Sequence, residues 1–154
     1  MNDVNLKSPT QEIVVDEVFP HAPETIWKTL TSGALMARWL MEPHGFSPVQ
    51  GTHFTYQTKP AGEWDGTIHC EVLEVVPNER FVYAWKGGHE SNKGYGSRLD
   101  TVVAFTLTRV PEGTRLRLVH SGFVTPTNDT AFHNMREGWR KVVPNLGNFT
   151  DGVH

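Results

Sequence analysis

Residues Asn128 to Phe149 read NDTAFHNMREGWRKVVPNLGNF, and the reading of this stretch decides the fold. Phe132, Met135, Trp139, Val142, Leu146 and Phe149 follow one another at spacings of three, four, three, four and three. At the α-helical period these side chains fall within an arc of about 100°. Arg136, Glu137, Arg140, Lys141 and Asn148 fall elsewhere on the wheel, as a solvated face requires. The spacing predicts one amphipathic helix, with Asn128 or Asp129 as N-cap after the helix-excluding pair Thr125-Pro126. Pro144 conflicts with it, because its ring removes a backbone donor and presses on the carbonyl of Arg140. The apolar spacing keeps phase across Pro144, so a kinked helix is expected rather than two unrelated ones. Gly147 weakens the last turns. Such a stripe needs an opposing wall from elsewhere in the chain.

Upstream segments supply that wall as strands. Gln11 to Phe19 (QEIVVDEVF) is rich in β-branched residues and is bounded by Pro20. Pro23 and Glu24 then suit the first turn of a short helix carrying Ile26, Trp27 and Leu30. Gly33 is read as its end, and Ala34 to Trp39 as a second short helix. Beyond Phe46 the period changes to two. Thr52 to Thr58, Asp65 to Val76 and Arg80 to Trp85 read as strands, as do the alternating runs Thr101 to Leu107 and Thr114 to His120. Lys59-Pro60-Ala61-Gly62, Pro77-Asn78 and Pro111-Glu112-Gly113 mark the turns. Gly87 to Ser97 (GGHESNKGYGS) is glycine-rich and polar, and is expected to be mobile. One strand, two short helices, a run of hairpin-linked strands and a closing helix define an α+β fold. The expected form is a curved antiparallel sheet of about six or seven strands, with the long helix across its concave face. This is a helix-grip arrangement. Residues 1–10 are expected to be a loose lead-in, 11–150 a single domain and 151–154 a frayed tail.

Composition narrows the function. The 154 residues carry 14 Lys plus Arg against 17 Asp plus Glu, a net charge of −3. No basic run or basic helical face appears, so nucleic acid is not an expected partner. No apolar stretch reaches membrane-spanning length, and the N-terminus lacks the apolar core of a secretory signal. A single cysteine, Cys70, forbids an internal disulfide and suits a reducing compartment. The expected location is cytoplasmic. None of the eight histidines has a metal-binding spacing, and no glycine loop precedes a helix start, so neither metal nor cofactor is expected.

Positions expected to face inward nominate a ligand-lining set of Trp39, Phe54, Tyr56, Tyr83, Trp85, Phe105, Leu118, Met135 and Trp139. Plain core is the competing role, and about half of them are expected to be core only. Three polar residues join the set as catalytic candidates. His69 and Glu71 share parity with Leu73 and Val75, which turns them inward; Cys70 and Val72 support the opposite phase, and a bulge would switch it. His120 shares parity with Thr114, Leu116 and Leu118, and its first expectation is a structural histidine. With Tyr83, these three would form an acid–base group in a dry cavity. Cys70 is expected to be buried and inert.

The chain resembles the START-like, or SRPBCC, superfamily, and within it the branch of the activator of the 90-kDa heat-shock chaperone's ATPase. Pro23-Glu24-Thr25-Ile26-Trp27 with Arg38-Trp39-Leu40 is similar to that family's first helix pair. Glu71 to Trp85 is similar to its central hairpin, Thr114 to Phe123 to its last strand, and Gly138-Trp139 with Leu146 to its closing helix. The resemblance implies a hydrophobic cavity for a small ligand; the long polar Gly87–Ser97 loop departs from the family pattern and is read as a pocket rim particular to this chain. The leading expectation is a small-molecule-binding domain for a hydrophobic or aromatic ligand. Two alternatives are a polyketide cyclase-like or hydrolytic enzyme and a co-chaperone-like interaction module. A homodimer through a sheet edge or outer face is left open by the sequence.

Overall fold

The computed structural model describes residues 10–150. The expected tail, and all of the expected lead-in except Thr10, lie outside the described residues. Thr10 already belongs to the first strand. The elements run β1 (Thr10–Phe19), α1 (Pro23–Thr31), α2 (Gly33–Trp39), β2 (His53–Gln57), β3 (Thr67–Val76), β4 (Arg80–Gly87), β5 (Leu99–Val110), β6 (Gly113–Val124) and α3 (Asp129–Asn145), closed by a 3₁₀ turn (Leu146–Phe149). One six-stranded sheet has the order β1-β6-β5-β4-β3-β2, every pair antiparallel. It is curved and open, and its concave side faces the helices. Among the described residues the strands number six, five of them after β1.

Local chemistry accounts for the short helices. Pro23 opens α1 with Glu24 in its first turn, and Ile26 and Leu30 are fully buried. Trp27, expected in the same stripe, is only half-buried and meets Phe81 edge-on at 6.3 Å. Ser32 ends α1 and caps α2, its hydroxyl accepting from the Leu35 N–H at 3.3 Å. Gly33 thus begins the second helix instead of ending the first.

The strands obey their alternation with two exceptions, a register shift at Gly122 of β6 and a more informative one in β3. Phe81, Tyr83 and Trp85 of β4 point inward, as do Val103, Phe105 and Leu107 of β5 and Leu116, Leu118 and His120 of β6. In β3 the partners step from Val72↔Tyr83 to Glu74↔Val82, so Leu73 is an extra residue in a bulge. Ile68, Cys70 and Val72 are buried before it, and Val75 packs on the core after it. The apolar parity of Leu73 and Val75 therefore misleads about the first half of the strand. His69 and Glu71, offered as inward residues, stand on the convex face instead.

Helix α3 lies against the concave side. Ala131, Trp139 and Val143 are buried on it, while Phe132, Met135 and Val142 are half-buried against the core. The helix carries Pro144 inside it, ends one residue later and tightens into the 3₁₀ turn, where Leu146 is fully buried. The stripe thus holds its phase past Pro144. Asn128 is the N-cap, but its side chain makes no capping bond. Its Oδ1 accepts from the Val124 N–H at 2.8 Å, while Nδ2 donates to Ser97 Oγ at 3.0 Å and to the Arg98 carbonyl at 2.9 Å. A buried amide thereby ties the start of α3 to the strands beneath it.

Candidate functional site

The space between α3 and the sheet has two unlike ends. At one end, around α1 and α2, bulky rings fill it. Phe81 stacks on Phe105 at 6.4 Å, and Phe46 meets Phe54 and Phe81 edge-on at 5.0 and 6.0 Å. Trp39 stands edge-on to Phe105 at 6.3 Å and donates its indole N–H to the Thr29 carbonyl at 3.2 Å. The Tyr56 hydroxyl donates to Met36 Sδ at 2.9 Å and lies 3.4 Å from the Tyr83 hydroxyl. Burial pushes both phenols up from their ordinary range and does the same to the Cys70 thiol, so none ionises readily. Trp39, Phe54, Tyr56, Tyr83, Phe105 and Leu118, all nominated as ligand-lining, are packed core here and do not border the hollow.

Toward the N-terminal half of α3 a hollow of about 310 Å³ remains. Three of the nominated residues line it: Trp85 from β4 and Met135 and Trp139 from α3. Leu40 and Met41 border it from the segment after α2, Ile68 from β3, Leu99 from β5, and Ala131, Gly138 and Val142 from α3. Gly88, Tyr95, Gly96 and Ser97 contribute the expected rim, joined by Trp64 from the β2–β3 connection. The only polar side chains of the wall besides the tyrosine and tryptophans are Thr58, Ser97 and Asn134; none is charged.

The rim loop was expected to be mobile, yet it is tied down. Asn92 Nδ2 donates to the carbonyls of Ala61 and Gly96 at 2.7 and 3.1 Å, and Tyr95 donates to the Lys59 carbonyl at 2.7 Å. Trp64 packs on Tyr95 with ring centroids 5.9 Å apart. Two glycines permit this folding. Gly88 has φ +77°, and a β-carbon there would collide with the Ser97 carbonyl. Gly96 has φ +86°, and a β-carbon there would sit 2.8 Å from Asn92 Nδ2.

His120 lies at the junction of the two ends, buried and outside the wall of the hollow. The Trp139 indole N–H donates to its Nδ1 at 3.0 Å. An indole nitrogen is only a donor, so the ring proton belongs on Nε2, which donates to Thr101 Oγ1 at 2.8 Å. Thr101 in turn donates to the Trp85 carbonyl at 2.7 Å. Burial pushes the His120 pKa down to about 3, and a second proton would confront the indole N–H with another donor. His120 is thus a neutral, fully bonded structural histidine, partnered by the side chains of Trp139 and Thr101.

The proposed acid–base group is not assembled. His69 is exposed on the convex face, paired in register with Lys86 and bordering a shallow polar groove with His89, Glu90, Arg98 and Asp100. Glu71 lies 3.4 Å from exposed His53, and Tyr83 is sealed in core. Among the described residues no cluster of His, Cys, Asp or Glu could hold a metal ion. Sequence reasoning missed Trp64 and Gly138 in the wall and Asn128 as a tie. Only the glycine carried a signal, standing at the helical period between Met135 and Val142.

A curved sheet gripping a terminal helix, with a hollow left between them, defines a helix-grip domain of the START-like class. A family profile described as Activator of Hsp90 ATPase homolog 1-like protein matches residues 20–149. The chain belongs to that family. Among solved structures it is similar to protein MLL2253 from Mesorhizobium loti, with 34% identity, a TM-score of 0.79, and 94% of this chain and 99% of that one covered. The Aha1 dimer from Colwellia psychrerythraea shares the fold at 19% identity and a TM-score of 0.70, covering 94% of this chain and 99% of that one. CalU16 from Micromonospora echinospora does so at 22% identity and a TM-score of 0.69, covering 92% of this chain and 76% of that one. No curated protein matches the sequence. Among the described residues no helix is long and apolar enough to cross a membrane.

Proposed function

We propose that the protein binds one small, uncharged, mainly apolar molecule in the hollow under α3, as a single-domain carrier or sensor in a reducing compartment such as the cytoplasm. One observation carries the reading: a hollow of about 310 Å³ whose wall contains no charged side chain. Ligand sites are concave and mostly apolar, with few polar groups, and this volume falls at the small end of their usual range. Gly138 supports it. A β-carbon there would meet nothing within 4 Å, yet glycine in a helix costs about 1 kcal/mol against alanine. Its value is the space it leaves at the mouth of the hollow.

The test is fluorescence titration with the neutral dye N-phenyl-1-naphthylamine on the wild type and on Gly138→Phe. Saturable binding by the wild type, lost in the variant with unchanged circular dichroism, is the expected result. No saturable binding by the wild type, or equal binding by the variant, would overturn the proposal. The cyclase-like alternative needed His69 or His120 at the cavity wall, and neither stands there. For self-association we propose the outer face of edge strand β1, where Val14 and Val18 are 39% and 48% exposed. Light scattering on the wild type and on Val14→Lys tests it: a dimer that the lysine dissociates is expected, and a monomeric wild type would rule it out.

A further inference from the structure

Four tryptophans lie in the space beneath α3 or at its rim, and three have their indole N–H groups occupied. Trp39 donates to the Thr29 carbonyl at 3.2 Å, Trp64 to the Thr67 carbonyl at 2.9 Å and Trp139 to His120 Nδ1 at 3.0 Å. Trp85 differs. It is 3% exposed, it lines the hollow, and its Nε1 has no partner. A buried donor left without an acceptor costs roughly 1–3 kcal/mol, and native proteins keep few of them.

No group around it accepts its indole proton. Trp85 is enclosed by the rings of Tyr56 at 5.5 Å, His120 at 5.3 Å, Trp139 at 5.8 Å and Tyr83 at 6.3 Å. Both His120 nitrogens are already engaged, by Trp139 and by Thr101. The Tyr56 hydroxyl is committed to Met36 and Tyr83. The ring borders the hollow while Nε1 itself has no open surface there, so an acceptor supplied by what fills the hollow reaches it by a small turn of the indole.

We infer that Trp85 is the hydrogen-bond anchor of the site, and that the ligand class is a neutral carbonyl compound whose oxygen accepts from the Trp85 indole N–H. This rests on the reading of the hollow as a ligand site. A pure hydrocarbon would fill the space and leave the donor orphaned. A carboxylate or phosphate would satisfy the donor but bury a charge in a wall that offers no cation, which is far costlier. A ketone, ester or lactone meets both demands. The neighbouring rings of Trp85 and Trp139 supply apolar surface for the rest of the molecule.

The test uses two probes of nearly equal shape, indane and 1-indanone, titrated by calorimetry into the wild type and Trp85→Phe. One net hydrogen bond corresponds to about a fivefold change in affinity. The ratio of 1-indanone to indane affinity should therefore fall about fivefold in Trp85→Phe, a ratio that cancels any packing change common to both probes. The ¹H–¹⁵N spectrum of the wild type gives a second reading that needs no stable variant. The Trp85 indole resonance should move downfield with 1-indanone and not with indane. An unchanged affinity ratio, or the same indole shift with both probes, would overturn the anchor and leave the ligand site standing. Failure of both probes and of the naphthylamine dye to bind the wild type would overturn the site itself, and the anchor with it.

Discussion

The two ends of the space beneath α3 are walled by the same residue types, yet one is solid and the other hollow. At the solid end the rings of β2, β4 and β5 meet side chains delivered from outside the sheet: Trp39 and Met36 from α2, and Phe46 from the following segment. At the hollow end α3 presents Ala131, Met135 and Gly138, two of them with little or no side chain, and the roof is a loop hinged on glycines. Aromatic alternation in a strand therefore says that a face is covered, and what comes to meet it decides whether the space is filled.

Substitutions at the two ends should differ most in stability. Phe105→Ala removes a ring that touches Phe81, Tyr83, Trp39 and Trp139, and should cost about 3–5 kcal/mol in urea unfolding. Met135→Ala only enlarges an existing hollow and should cost about 1 kcal/mol or less. Equal costs would mean that the hollow end is packed as well.

Acid should probe the junction. The folded His120 ring binds its second proton only near pH 3, whereas the unfolded ring binds it near 6.5. Between these values the unfolded chain holds more protons, so this contribution is complete above about pH 6.5 and is lost as pH falls toward 3. The loss is about 1.4 kcal/mol per unit, or roughly 2 kcal/mol by pH 5. His120→Gln should flatten that slope in unfolding measured from pH 7 to 5. A slope as steep as in the wild type would detach the effect from His120.

Gly138→Ala tests the emptiness directly. It should stabilise the fold by about 1 kcal/mol, because alanine suits a helix better and has room here. It should also weaken dye binding, which separates it from an ordinary stabilising change. The smallest effect belongs to the convex face. His69→Ala should shift stability by less than about 0.5 kcal/mol and leave dye affinity unaltered, as expected of an exposed residue remote from the hollow. A clear loss of binding would return His69 to the site.

Much of the fold was legible because it rests on periodicity. The stripe from Phe132 to Phe149 and the alternation around Phe81, Phe105 and Leu118 each reported a buried face. The site was less legible, for three physical reasons. A bulge at Leu73 reverses the parity of β3, and the sequence there permits either phase. Whether Tyr56 lines a hollow or seals a core depends on Met36, and whether the neighbouring Phe54 and Phe81 are covered depends on Phe46; both arrive only through the tertiary fold. Asn128 resembles an ordinary helix cap, and nothing local shows that its amide is spent on Val124, Ser97 and Arg98.

The chain of donors from Trp139 through His120 and Thr101 to the Trp85 carbonyl has a consequence for traffic. It fastens the middle of α3 to three adjacent strands, through bonds no water can replace. Lifting the whole helix would sever that fastening and strand several polar atoms in a dry interior. The Asn92 and Tyr95 ties of the glycine loop lie nearer to solvent, which takes over such bonds at little cost. A guest molecule therefore has its cheaper doorway at the loop, with the helix acting as a fixed lintel.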